Sequence, residues 1–492
     1  MLLEPFLRNV RSTPDRVAVI DDSGSYTNQR LGEMAMGLGA LMRLKTQRPT
    51  VGILLPASAG FIASFYGALL AGKVPVPINF LLGPREVGHV IADSGIDTVL
   101  TIPQLGERLK DTGVNAIDLT QLATQSLPPQ ALQYSPPTYE ADDLATILYT
   151  SGTSGLPKGV CLSHGNLRRD IVSAIAHVGL NQDHKFLGIV PLFHSTGVVA
   201  AMLAPIELNA TVVHIARFSP VATIKAIREH KISIMAGVPS MYGALLKLKD
   251  ASAADFASMF AALSGGEPLP STIRNAFAER FGTHLYEGYG LTETIGITCL
   301  NAPGKHKPGS VGRPISVAEV LIVDDNDAPV PQGATGEVLI RGVHVMKGYH
   351  NLPEETARVM TESGYLRTGD LGHFDEEGFL FITGRKKDLI IVSGEKVYPR
   401  EIEELLGTHA SIADVAVVGR PCDVRGEAVV AFVVPREGHT FDVDAAREHL
   451  KSSGTVNWKL PKEVHSVTEL PRTPTGKVLK RELVTRAIAA LV

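Results

Sequence analysis

Short runs of β-branched and other apolar residues alternate with longer segments of helical periodicity through the first two-thirds of the chain. Residues 51–55 form one such run ahead of a helical pattern at 59–71, and residues 186–190 repeat the arrangement ahead of 197–208. Strands interleaved with helices predict α/β layers. The most apolar stretch, residues 60–78 (GFIASFYGALLAGKVPVPI), is broken by Lys73, Pro75 and Pro77 before it is long enough to cross a bilayer. It predicts a buried helix entering a strand. From Val311 the pattern changes to short strands with Gly-containing turns, as at 318–323 and 336–341, which predicts a β-rich, barrel-like subdomain over 311–386. Beyond the charged string RKKD at 385–388, a helix at 399–406, strands at 415–418 and 429–434 and a helix at 443–451 predict a small α+β domain. The Pro-rich stretch 127–139 reads as a surface connection.

The 492 residues exceed one ordinary core, and 44% hydrophobic with 20% charged residues is the balance of a globular chain. A formal net charge of −4 without a basic stripe argues against a nucleic-acid partner. Cys161, Cys299 and Cys422 lie far apart without CxxC spacing, as reduced thiols of a cytoplasmic protein do. Glu4, Pro5 and Arg8 interrupt the apolar run a signal peptide would need. No transmembrane segment is expected, and peripheral membrane contact and oligomeric state stay open.

Residues 146–160, TILYTSGTSGLPKGV, carry the first chemical signal. An apolar strand runs into a loop containing Thr150, Ser151, Gly152, Thr153, Ser154 and Gly155, with Lys158 just beyond. Glycine lets backbone N–H groups approach an anion, while hydroxyls and an ammonium add donors, so the loop can hold a polyphosphate. Pro157 and Gly159 flank the Lys where a Walker A loop requires Gly and Ser or Thr, so a strand-loop-helix cradle is not expected.

Residues 287–294, EGYGLTET, carry the second. Glu287, Gly288, Tyr289 and Gly290 would bring the main chain close to a ligand and leave an aromatic ring to stack on a flat heterocycle. Thr292 offers a hydroxyl to phosphate oxygens, and Glu293 a hard carboxylate oxygen suited to Mg²⁺. In the TGDL string at 368–371, Asp370 offers a carboxylate with two acceptor oxygens.

Taken in order along nearly the whole chain, these strings resemble the signatures of the adenylate-forming superfamily, which includes acyl-CoA synthetases, aryl-CoA ligases, peptide-synthetase adenylation domains and beetle luciferases. The resemblance implies an ATP- and acid-binding domain over 1–386, built of stacked sheets with flanking helices, a hinge at Lys387, and a mobile α+β domain over 388–492. It implies ATP, Mg²⁺ and coenzyme A as cofactors. The LSGGEPL string places Gly265, Gly266 and Glu267 beside the adenine, although many relatives have a small residue where Glu267 stands. TGDL is similar to the family's ribose-binding step, so Asp370 would receive both ribose hydroxyls and Arg385 would help fix the nucleotide, and Lys477 in LPRTPTGK would bind the attacking carboxylate and the α-phosphate. Gly394 would border the thiol arm, although one glycine stands where many relatives have two.

In LFHSTGV, His194 matches the family's gate beside the carboxylate site, followed by Ser195 where amino-acid-activating relatives carry Asp. An amino acid substrate is therefore disfavoured. The segment 235–246, with Val238, Pro239, Met241 and Tyr242, would line the acyl pocket. Its apolar character points to a medium- or long-chain fatty acid, with an aryl acid second, and ranks malonate-like acids lower. The alternatives are an acyl-AMP synthetase that loads an acyl carrier protein and, last, a non-catalytic binding module.

Overall fold

The structure, a computed structural model, describes residues 1–124, 135–150, 156–472 and 478–489. Contacts group the chain into two compact units: Met1–Gly266, Phe277–Val320 and Ile340–Leu366 make the first, and Glu267–Ala276, Leu321–Leu339 and Arg367–Val492 the second. They divide the chain at other places than the hinge implied at Lys387.

The first unit is built around a nine-stranded sheet. Its centre is parallel, running in spatial order through Leu285–Tyr289, Ala261–Ser264, Ile234–Gly237, Lys185–Gly188, Thr211–His214 and Val17–Asp21. A second, four-stranded parallel sheet holds Val74–Pro77, Thr50–Leu54, Thr98–Thr101 and Asn115–Asp118. Parallel strands need both faces covered, which is why Thr50–Leu54 is buried at every position. The helix Ala59–Leu70 is buried along its length except at Gly60, as the uninterrupted apolar run at 60–71 predicts for a core helix entering the strand Val74–Pro77.

A third, three-stranded sheet combines the hairpin Leu144–Thr150 and Lys158–Ser163 with the short strand Gly348–Tyr349. The hairpin leads directly into the helix His164–Val178. Ser163 Oγ accepts from Asn166 N at 3.1 Å while Asn166 Oδ1 accepts from Ser163 N at 2.9 Å, a reciprocal cap that fixes where the helix starts. The predicted helical segment at 197–208 begins two residues earlier and is not uniform: Ser195–Val198 is α-helical, Val199–Leu203 is a π turn, and Ala204–Leu208 returns to α.

The second unit contains most of an open four-stranded sheet, Ala318–Val323, Gly336–Gly342, Leu366–Phe374 and Leu380–Arg385, where a barrel-like subdomain was expected. It also contains a five-stranded sheet. Its long antiparallel hairpin, Ile412–Cys422 with Gly426–Pro435, extends well past the apolar cores at 415–418 and 429–434, because main-chain pairing continues through the polar residues on both sides. The helices Pro399–Gly407 and Val443–Ser452 pack Ile402, Leu406, Ala446 and Leu450 onto Val417, Val429 and Ala431. Among the described residues no helix is long and apolar enough to cross a membrane.

Candidate active site

Thr150 and Lys158 are register partners at the loop end of an antiparallel hairpin, so a strand and not a helix follows the Gly-rich loop. The absence of a Walker-type arrangement is as the sequence implies. Ser151, Gly152, Thr153, Ser154 and Gly155, together with Lys477, lie outside the described residues. Lys158 Nζ is 2.7 Å from Glu355 Oε2 and 5.2 Å from the centre of the Tyr349 ring. The Tyr349 hydroxyl donates to Glu293 Oε1 at 2.7 Å, and Met346 N donates to the Glu293 carbonyl at 2.8 Å. Burial, reinforced by the Glu293 charge, holds the Tyr349 hydroxyl far above the ordinary tyrosine range. The base of the loop and the carboxylate of the second motif are thus brought together through a tyrosine.

The second motif starts on the strand Leu285–Tyr289. Ser264 and Glu287 are register partners on adjacent parallel strands, so Gly265 and Gly266 leave their strand beside Gly288 at the carboxyl edge of the sheet. Ligands bind at that edge in open α/β sheets. Asn301 steadies the turn: its Nδ2 donates to the carbonyls of Glu287 at 3.0 Å and Ser310 at 2.8 Å, and its Oδ1 accepts from Lys307 N at 2.9 Å. The chain then folds back so tightly that a Cβ on Gly290 would lie 2.5 Å from the carbonyl carbon of Gly296, and only glycine fits. Glu287 is buried, Tyr289 half-buried, and the turn Thr292–Thr294 leaves Thr292 and Glu293 half-exposed while Thr294 is inside.

Ser195, next to His194, reaches the fold-back at Gly296. His194 is the N-cap of the helix Ser195–Val198, with Nδ1 accepting from Thr196 N at 3.3 Å. Ser195 Oγ lies 3.2 Å from where a Cβ on Gly296 would stand. Val238 and Met241 are half-buried at the start of the helix Pro239–Leu246, and Pro239 is buried. Tyr242 is a correction to the pocket expected from the sequence. Its side chain is fully buried, stacks edge-on to Phe277 with centroids 5.3 Å apart, and donates to the carbonyls of Leu263 at 2.6 Å and Met235 at 3.2 Å. It is a core residue, because helical position alone does not say which face of a short apolar helix meets the sheet.

Glu267, Asp370, Arg385, Lys387 and Gly394 belong to the second unit. Asp370 and Arg385 are register partners on Leu366–Phe374 and Leu380–Arg385, with Arg385 Nε 3.0 Å from Asp370 Oδ1. Asp370 is buried and Arg385 exposed. Lys386 is anchored by Glu337 at 3.0 Å and Asp325 at 3.2 Å, and Lys387 follows it in the turn Lys386–Asp388. Gly394, at φ +87°, shares a two-residue hairpin loop with Ser393, at φ +54°, between Ile390–Val392 and Glu395–Val397. Two positive φ values are the signature of a type I′ turn.

The sequence reading missed Tyr349 and Glu355. Gly348-Tyr349 repeats the Gly-Tyr step of Gly288-Tyr289, which was the available signal. Glu293 offers a carboxylate with one oxygen held by Tyr349 and with no hydrogen bond to the other among the described residues, a hard oxygen donor of the kind Mg²⁺ takes, while no cluster of three metal-binding side chains occurs among those residues. Mg²⁺ commonly takes one or two carboxylates and completes its shell with water and substrate phosphates.

The AMP-binding enzyme family profile matches residues 6–350, and that of the AMP-binding enzyme C-terminal domain matches 401–477. The chain is 32% identical to a long-chain-fatty-acid–CoA ligase of Bacillus subtilis over 514 residues, covering 96% of this chain and 91% of that one. It is equally 32% identical to a feruloyl-CoA synthase of an Amycolatopsis species over 483 residues, covering 97% of each. Its fold is similar to o-succinylbenzoate coenzyme A synthetase from Bacillus subtilis in complex with ATP and magnesium ion, at a TM-score of 0.86 and 28% identity over 97% of this chain and 98% of that one. The chain therefore belongs to the AMP-binding enzyme family of the adenylate-forming superfamily, as an acyl- or aryl-CoA ligase that works through an adenylate and uses ATP, Mg²⁺ and coenzyme A.

Proposed function

We propose that this ligase activates a medium- or long-chain fatty acid as acyl-AMP, releasing pyrophosphate, and then transfers the acyl group to coenzyme A. The observation that carries the substrate class is the burial of Tyr242. With its hydroxyl given to Leu263 and Met235, the start of the helix Pro239–Leu246 has Val238 and Met241 as its half-buried side chains, which suits an alkyl chain.

A carboxylate is a poor electrophile, and attack on the α-phosphate brings two anions together. Placed donors and cations are what such a step needs, each contributing about 3 kcal/mol. In this reading Thr150, Lys158 and the Ser151–Gly155 loop hold the β- and γ-phosphates, and Thr292 donates to phosphate oxygen. Glu293 holds Mg²⁺, which supplies positive charge against the triphosphate. Glu287, Gly288, Tyr289 and Gly290, with Gly265, Gly266 and Glu267, border the adenine, and Asp370 with Arg385 fixes the ribose. Lys477 pairs with the attacking carboxylate while His194 and Ser195 border it. Rotation about Lys387 then withdraws Lys477 and brings Gly394 to the thiol, a rigid-body exchange of one surface for another.

The test is pyrophosphate exchange into ATP across octanoate, palmitate, benzoate and ferulate, followed by thioester formation with coenzyme A or a holo acyl carrier protein. Highest kcat/KM with an alkyl acid and coenzyme A supports the proposal. Preference for an aryl acid, which the feruloyl-CoA relative makes the second reading, or for the carrier protein overturns it.

A further inference from the structure

We infer that Tyr349 is a positioning residue for adenylation: it engages one oxygen of Glu293 and leaves the other for the cation, and through Lys158 it ties that arrangement to the Gly-rich hairpin. The inference rests on the proposed reading of Glu293 as the Mg²⁺ carboxylate.

Glu293 sits on a single short turn, Thr292–Thr294. A carboxylate free to spin would have to be ordered each time a cation bound, at a cost in conformational entropy. The Tyr349 hydroxyl removes that freedom by donating to Oε1 at 2.7 Å, and among the described residues Oε2 has no hydrogen-bond partner. Tyr349 is itself fixed by main chain. It is the register partner of Val160, its N donates to Thr356 Oγ1 at 2.9 Å, and the next residue, His350, donates from N to the Gly159 carbonyl at 2.7 Å.

The other end of the network is Lys158, with its ammonium 5.2 Å from the Tyr349 ring centre and 2.7 Å from Glu355 Oε2. A cation over an aromatic face is attracted to it, so the position of Lys158 and the position of the ring are coupled. The series Glu355, Lys158, Tyr349, Glu293 therefore joins the base of the phosphate loop to the metal carboxylate by direct contacts. Groups that orient a metal's ligands in this way are worth about ten- to a hundredfold in metal affinity.

The experiment is calorimetric titration of the full chain with ATP at increasing Mg²⁺, without acid, so that no turnover occurs. Tyr349→Phe keeps the ring and removes the hydroxyl. Its Mg²⁺ midpoint for ATP binding is expected to rise about tenfold, with Mg²⁺-free ATP affinity and melting temperature near those of the wild type. A wild-type midpoint in Tyr349→Phe overturns the inference, as does an equal loss of ATP affinity with and without Mg²⁺, which would place the tyrosine's effect on the nucleotide. Glu293→Gln separates the two readings: a large Mg²⁺ shift in Glu293→Gln with none in Tyr349→Phe defeats the inference alone. No shift in Glu293→Gln defeats the assignment of Glu293, and the inference with it.

Discussion

Arg385 Nε lies 3.0 Å from Asp370 Oδ1, and the two residues face each other across paired strands, one buried and one exposed. The guanidinium thus fixes one oxygen of a carboxylate proposed to receive the ribose. Asp370→Asn keeps the shape, halves the acceptor capacity and removes the charge. The KM for ATP is expected to rise about ten- to a hundredfold, the worth of hydrogen bonds to a charged group. Initial rates against ATP concentration check this, and an unchanged KM would show the pair to be structural only.

Tyr242→Phe tests the core assignment. Removing the hydroxyl leaves the buried carbonyls of Leu263 and Met235 without that donor, so stability should fall by about 1–3 kcal/mol. The KM for the acid should be unchanged. Urea unfolding beside acid-dependent kinetics distinguishes this from a pocket role, in which the KM would move and stability would not.

Two glycines should respond in opposite directions. A Cβ on Gly290 would meet the main chain of Gly296 at 2.5 Å, and backbone cannot retreat as a side-chain tip can, so Gly290→Ala is expected to cost at least about 1–3 kcal/mol and to disturb ATP binding. At Gly407, the last residue of Pro399–Gly407, a Cβ meets nothing within 4 Å. Gly407→Ala is expected to stabilise by up to about 1 kcal/mol. Thermal melts of the two variants give the comparison.

His214 is fully buried over Gly188, and loss of hydration pushes its pKa down to about 4. His164 and His344 are lowered to about 4 for the same reason. In the unfolded chain these imidazoles take up protons near pH 6.5, so the unfolded state binds more protons below that point. Their contribution to stability is present above about pH 6.5 and is lost as pH falls toward about 4. His214→Gln removes one of them and should flatten the fall of stability over that window by up to about 1.4 kcal/mol per pH unit. Denaturant midpoints at a series of pH values check the slope.

Strands buried on both faces were legible because they read as unbroken apolar runs: residues 51–55 were expected, and Thr50–Leu54 is the strand. The hairpin Ile412–Cys422 and Gly426–Pro435 was legible only at its apolar centre, since polar residues in a ladder carry no hydrophobic signal. Tyr242 was misread because a pocket wall and a core face share the same apolar composition. Tyr349 escaped notice because its meaning lies in partners 56 and 191 positions away, which no local pattern encodes.

The π turn Val199–Leu203 sits a few residues after His194, inside what is otherwise one helix from Ser195 to Leu208. Such a turn wraps more residues into the same rise than an α turn does, so the segment carries surplus chain. Deleting one position there would let the helix close into regular geometry while the turns on either side keep their facing, whereas the same deletion in a regular turn would swing everything upstream by roughly 100° about the axis. The stretch can thus lose a single codon and leave the aim of His194 unchanged, a tolerance that the neighbouring α turns do not share.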